Sequence, residues 1–262
     1  MALEPLPDKM VQFLMSKSFD ADDIKGRKIC LYGDQGIGKT VLATKLGTSN
    51  LLVTDEDGIL SLKNHPELDE KTTAISFTGT DKGDGVGYGR LQLILKACEN
   101  GQWIGKNDKP IDNVVFDTVS GIVGTEIRRI ITDKDIPTEK GKLSEYLATQ
   151  PTYFLSEQNF APLMQMVAQM HNCSVTMLSH LRREAKDSPG ATNRPDLHGA
   201  VYRLMAKYCG VMGYLYAGGE TGRAIQVMPG NMFAAKTRYN FGKPILTDKE
   251  FVAGIEKWKA GQ

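Results

Sequence analysis

The eight residues GDQGIGKT, Gly33 to Thr40, fit the spacing G-x-x-x-x-G-K-[ST] in full. These residue types at this spacing hold phosphate. Gly33, Gly36 and Gly38 let the backbone turn its N–H groups inward and approach a phosphate closely. A helix opening behind them adds partial positive charge. Lys39 is placed to reach the terminal phosphates of a nucleoside triphosphate, and the Thr40 hydroxyl to ligate magnesium. Asp34, Gln35, Ile37 and Val41 complete the nucleotide-binding run. ATP and Mg2+ are the expected cofactors.

Phosphate chemistry needs further carboxylates. NVVFDT carries Asp117 out of an apolar run, at the strand end where ligands bind in open α/β sheets. There it can hold the magnesium through water. LLVTDEDG ends another run with Asp55, Glu56 and Asp57. One of these, Glu56 by choice, is expected beside the γ-phosphate to orient an attacking water. A solvated acidic turn is the alternative.

Two basic segments follow. VTMLSHLRRE places His180 at the tip of an apolar run, either touching the γ-phosphate or satisfied locally. The next stretch, RREAKDSPGATNRPDLHG (182–199), is long, basic and poor in apolar residues. Arg182, Arg183, Lys186 and Arg194 would suit a nucleic-acid backbone; a solvated surface loop is the bland reading. In AAKTRYNFG, Lys236 and Arg238 alternate, so a strand would put both on one face. Two such cations suit the triphosphate of an adjacent subunit. An exposed basic strand is the alternative.

These residues need a frame. Apolar runs predict strands at KICLYG, NLLVTD, TTAISF, DNVVFDT and SVTMLSH. Helical spacing predicts helices over Lys39–Leu46, about Arg90–Glu99, and SEQNFAPLMQMVAQMHN with Ser156 as N-cap. Continuous apolar strands separated by helices imply a parallel sheet covered on both faces. GVMGYLYAGG and RAIQVMPG read as a hairpin, with NMFAAKTRY a further strand. The fold class is α/β, with an antiparallel C-terminal extension. We expect an N-terminal helical arm over 1–26, a core over 27–245 and a tail helix within 246–262. The arm packs either on its own domain or on a neighbouring subunit.

Composition excludes several classes. The 262 residues are 41% hydrophobic and 24% charged, with net charge +1, which argues against broad coating of duplex DNA. No apolar run approaches the roughly 20 residues a membrane span needs, so no membrane partner is expected. The N-terminus lacks the pattern of a secretory signal. The four cysteines form no C-x-x-C pair and sit mostly in apolar runs, which suits a reducing, cytoplasmic setting.

In order, these motifs resemble the RecA-fold ATPases. SHLRR and KTRYNFG are similar to segments of replicative DnaB-type helicases. With one short domain and His180 at the strand tip, the chain looks most like the phage RecA-like, Rad-type single-strand annealing recombinases. The likeness spans roughly residues 28–243. It implies phosphate and magnesium roles for Lys39, Thr40 and Asp117, a catalytic Glu56, and a γ-phosphate sensor at His180. It also implies a DNA loop near 182–199 and trans-acting Lys236 and Arg238. The chain differs in its extra acid near Glu56 and in the length of 121–155, which reads as a second DNA-facing loop or an interface insertion. No base-stacking platform stands out; Tyr146, Tyr153 and Phe154 are the nearest candidates. The implied function is ATP-dependent recombination: binding single-stranded DNA, annealing or pairing it, and assembling as a homo-oligomeric ring or filament. A single-stranded DNA-binding protein is an implied accessory partner. A DnaB-like motor and a nucleotide switch without DNA binding are the alternatives.

Overall fold

The computed structural model describes residues 26–54, 56–77, 88–133, 150–183, 193–218, 222–230 and 233–261. Apart from Gly26, the expected N-terminal arm lies outside them, as do Asp55, Tyr146 and Lys186.

Five strands are parallel neighbours of one another or of β7: β1 (Lys28–Gly33), β2 (Asn50–Thr54), β3 (Thr72–Ser76), β4 (Asn113–Asp117) and β5 (Ser174–Arg182). Two-residue strands off the main order are β6 (Arg194–Pro195) and β9 (Lys236–Thr237). The rest are β7 (Val211–Tyr216), β8 (Ala224–Gln226) and β10 (Ile245–Leu246). The order is β10-β8-β7-β1-β5-β4-β2-β3, with β6 beside β5 and β9 beside β7. The β1, β2, β3, β4, β5 and β7 pairings are parallel. The β6, β8, β9 and β10 pairings are antiparallel. This is the expected mostly parallel sheet with an antiparallel C-terminal extension.

The strands read as unbroken apolar runs because both faces are covered. Cys30, Tyr32, Val53, Phe116 and Met177 point to one face. There they meet α4 (Tyr88–Glu99), α5 (Val119–Asp133), α6 (Gln150–Gln169) and α7 (Gly199–Tyr208). Ile29, Leu31, Leu52, Val115 and Leu178 point to the other, against α1 (Lys39–Lys45) and α8 (Asp248–Lys259). Two short helices, α2 (Glu56–Leu60) and α3 (Pro66–Asp69), link β2 to β3. All four cysteines are buried and unbridged, and burial raises their thiol pKa values, Cys98 and Cys209 to about 12.

Three expectations are corrected. Ser156 caps nothing: α6 starts at Gln150 and Ser156 is buried in its second turn. Within 121–155, residues up to Asp133 form α5 and those from Gln150 begin α6, so the described parts are core helices. Ile122, Val123, Ile127 and Ile130 recur along one face of α5 and are buried. The basic stretch also buries apolar surface. β5 runs on to Arg182, β6 pairs back onto it, and Pro195 and Leu197 are buried.

A polar cluster fixes the phosphate-loop helix to this frame. Asn113 Nδ2 donates to Ala43 O at 3.1 Å and to Asn50 Oδ1 at 2.8 Å. Thr176 Oγ1 donates to Asn113 Oδ1 at 3.0 Å, and Asn50 Nδ2 to Thr44 O at 3.0 Å. Each of these polar side chains is fully buried, so each needs its partner. Ala43 and Thr44 lie near the C-terminal end of α1, whose free carbonyls the asparagines satisfy.

Candidate nucleotide site

The parallel strands end together, so Gly33, Thr54, Asp117 and His180 reach one edge of the sheet. Gly33 stands opposite His180 and Leu215 in register, and Thr54 opposite Asp117. A Cβ at Gly33 would collide with the Leu215 carbonyl, so only glycine fits there. Beyond it, Gly36 and Gly38 take φ of 75° and 84°, the left-handed region in which side chains are strained. Gly38 N-caps α1 and has no side-chain oxygen to occupy the first-turn N–H groups. The helix end is therefore built for an outside anion.

Lys39 is buried along the loop. Its Nζ donates to Gly33 O at 3.0 Å and Asp34 O at 2.8 Å. Burial lowers its pKa, while Asp117 and Asp34 oppose that shift. Thr40 Oγ1 donates to Asp117 Oδ2 at 2.5 Å, and both residues are buried. A hydroxyl and a carboxylate brought together at the sheet edge are hard oxygen donors of the kind magnesium takes. The donor set thus fits the implied ion, held by Thr40 and Asp117, and the left-handed glycine loop fits the phosphates. Gln35, Ile37 and Val41 lie on the same loop and first turn, with Ile37 and Val41 packed against the α1 face of the core.

Helix α2 starts beside this centre. A Cβ at Gly58 would lie 3.3 Å from Asp117 Oδ2 and would clash with Thr54 Oγ1. Glu56 opens that helix two residues earlier.

His180, half-buried, lines a cavity of about 650 Å3 with Thr118, Ser120, Tyr153, Arg182 and His198. Tyr153 meets His198 edge-on at 5.2 Å between centroids, and burial lowers the His198 pKa. Phe154, on the same helix, is exposed. Arg183 turns back to the phosphate loop, its Nη2 3.0 Å from both Asp34 oxygens. Arg194 lies over the Tyr202 ring at 5.2 Å. The four expected nucleic-acid cations thus divide. Arg182 borders the cavity, Arg183 holds the loop, Arg194 stacks on an aromatic ring, and Lys186 is outside the described residues.

Lys236 and Arg238 do not meet the phosphate loop of their own chain. β9 pairs with Val211 and Met212, at the start of β7, so both lie at the opposite edge of the sheet. They do share a direction: Lys236 Nζ donates to Ala206 O at 2.7 Å and Arg238 Nη2 to Lys207 O at 3.1 Å. Both carbonyls belong to the last turn of α7.

Arg223 and Asp248 lie at the site without any motif to announce them. Arg223 precedes β8 and reaches the phosphate loop, where Nη1 donates to Ile37 O at 2.7 Å and Gly38 O at 2.9 Å. Asp248, in the first turn of α8, accepts from Arg223 Nε at 2.9 Å and also from Nη2. The only local signal is TDKE, whose Thr247–Glu250 capping box marks the start of α8 without naming a partner for Asp248.

No curated protein is significantly similar to this chain. Among solved structures, the crystal structure of the RadB recombinase aligns over 83% of this chain and 86% of that chain, at 13% identity and a TM-score of 0.42. A likeness that loose adds nothing about function. Residues 25–239, which include the phosphate loop, Asp117, the 182–199 stretch, Lys236 and Arg238, match the AAA domain family. The chain belongs to the AAA domain family, with a P-loop on a mostly parallel sheet flanked by helices.

Proposed function

We propose that this protein is a magnesium- and ATP-dependent recombination protein of phage type. In this reading it binds single-stranded DNA, oligomerises as a ring or filament with nucleotide between subunits, and promotes annealing or strand pairing. The observation that carries it is the Arg183–Asp34 pair, which joins the basic segment after β5 to the second residue of the phosphate loop. Phosphates arriving on the loop add negative charge beside Asp34 and compete for Arg183. Nucleotide and the DNA-facing segment thereby share a contact.

Each residue has a role in that reading. Gly33 to Val41 hold the phosphates, with Lys39 neutralising the terminal ones. Thr40 and Asp117 would hold magnesium, which supplies positive charge against the phosphates. Glu56 orients the water and His180 reports the γ-phosphate. Arg182, Arg183, Lys186 and Arg194 hold the DNA backbone. Lys236 and Arg238 complete the neighbour's triphosphate site, which requires them to leave the α7 carbonyls on assembly. A single-stranded DNA-binding protein is the expected accessory, and the cytoplasm the expected location. Among the described residues no helix is long and apolar enough to cross a membrane.

The test is binding of a labelled oligonucleotide with and without ATP across salt concentrations. We expect affinity that needs ATP and falls steeply with salt. Neutralising Arg182 and Arg183 together should flatten the salt slope by about 1.4, roughly 0.7 per lost single-strand phosphate contact. An unchanged slope moves the groove elsewhere. No binding under any condition leaves a nucleotide switch.

A further inference from the structure

We propose that Arg223 is a positioning residue of the nucleotide site, and that α8 belongs to that site because Asp248 holds Arg223 in place. The inference rests on the reading of Gly33–Thr40 as a nucleotide loop.

The argument starts from peptide geometry. A trans peptide is planar, and its C=O and N–H point in opposite directions. Arg223 Nη1 holds the carbonyls of Ile37 and Gly38. The N–H groups of the same two peptides belong to Gly38 and Lys39, so they must point away from Arg223. Those are the groups that open α1, where an anion is favoured. Fixing two carbonyls outward therefore fixes two donors inward. Gly38 is needed for a second reason, since a Cβ there would collide with the Arg223 guanidinium.

The guanidinium is held in turn. Asp248 takes two of its N–H groups in a fork, and both side chains are largely buried. A lysine cannot make that fork and reach both carbonyls together. Burial also lowers the Arg223 pKa from its ordinary value, so the positive charge sits in a partly dry setting beside the loop. Asp248 lies beyond residues 25–239, so the family match covers the loop but not this support.

The bland alternative is a brace that merely attaches α8. Lys243 and Glu250 make a second, exposed tie to the same helix and supply the control. Fluorescent ATP analogue is titrated into the full chain and its variants, with melting followed with and without ATP. Arg223→Ala should weaken nucleotide binding about ten- to hundred-fold, the scale of one charge-assisted hydrogen bond, because the loop loses positioning and not a direct ligand contact. Arg223→Lys should recover part of that loss. Asp248→Asn, which keeps the shape and most of the packing, should lose several-fold, while Lys243→Ala leaves affinity unchanged. Wild-type affinity in Arg223→Lys and Asp248→Asn, with only the melting temperature lowered, overturns the proposal in favour of a brace. If the wild-type chain binds no nucleotide, the loop reading itself fails and the proposal falls with it.

Discussion

The two edges of the sheet hold similar side chains put to opposite uses. At the carboxyl edge, Lys39, Arg183 and Arg223 lean on the loop that receives phosphate. At the amino edge, Arg27, Lys28, Lys236 and Arg238 are taken up by helix ends. Arg27 donates to Trp258 O and lies over the Trp258 ring, and Lys28 donates to Met170 O. Lys236 and Arg238 hold the last turn of α7. Helix C-termini carry partial negative charge and unpaired carbonyls, so cations placed there are already used. Within one chain, then, Lys236 and Arg238 serve a helix end, and the proposed role at a neighbour's triphosphate requires assembly to free them.

The largest expected effect is at the carboxyl edge. Lys39→Ala should abolish ATP turnover in a steady-state phosphate-release assay, and undiminished turnover would dissolve the contrast between the edges. Next comes the residue on which the edges compete. Arg238→Ala should cut hydrolysis by at least about 1,000-fold with nucleotide binding spared, as loss of an arginine finger does. Mixing it with Lys39→Ala subunits should restore part of the activity. A loss confined to about 0.5 kcal/mol of stability, the scale of a cation at a helix end, would leave Arg238 entirely to α7.

Asn113→Ala is expected to cost about 3 kcal/mol in denaturant unfolding, since it strips partners from buried Asn50, Thr176 and the end of α1. A loss under about 1 kcal/mol would mean that the cluster does not anchor the helix. The smallest effect belongs to Lys28. Burial pushes its pKa from 10.5 down to about 8, with Arg27 adding to the shift and Glu99 opposing it. Between those values the unfolded chain binds more protons than the folded one, so stability should rise as pH climbs from 8 toward 10.5. Thermal melts should show a rise worth about 1 kcal/mol that Lys28→Met lacks, and parallel curves would remove Lys28 from the account.

Much of the frame was legible because the parallel strands are buried on both faces and so read as plain apolar runs. The phosphate loop was legible because its glycines and lysine have few substitutes, and Asp117 because it breaks an apolar strand at its end. α5 and α7 escaped for one reason: GIVGTEIRRI and VYRLMAKY mix glycine or charge into a narrow apolar face, and that face shows only when the helix meets the sheet. Ser156 misled because a serine before a helical pattern looks like a cap even when α6 has already begun six residues earlier. Arg223 and Asp248 are 25 positions apart, each in an ordinary turn or first helical turn. Arg238 shows the converse, since its spacing from Lys236 was readable while the α7 carbonyls it meets were not.

In the proposed ATP-dependent reading, the asparagine cluster limits how nucleotide at the loop can move the molecule. It rivets the rear of α1 to β2, β4 and β5, so that helix cannot slide as a piston when its front end gains or loses charge. On that reading, movement would leave by the strand tips and the segments hung from them, with α1 as the anvil and not the hammer.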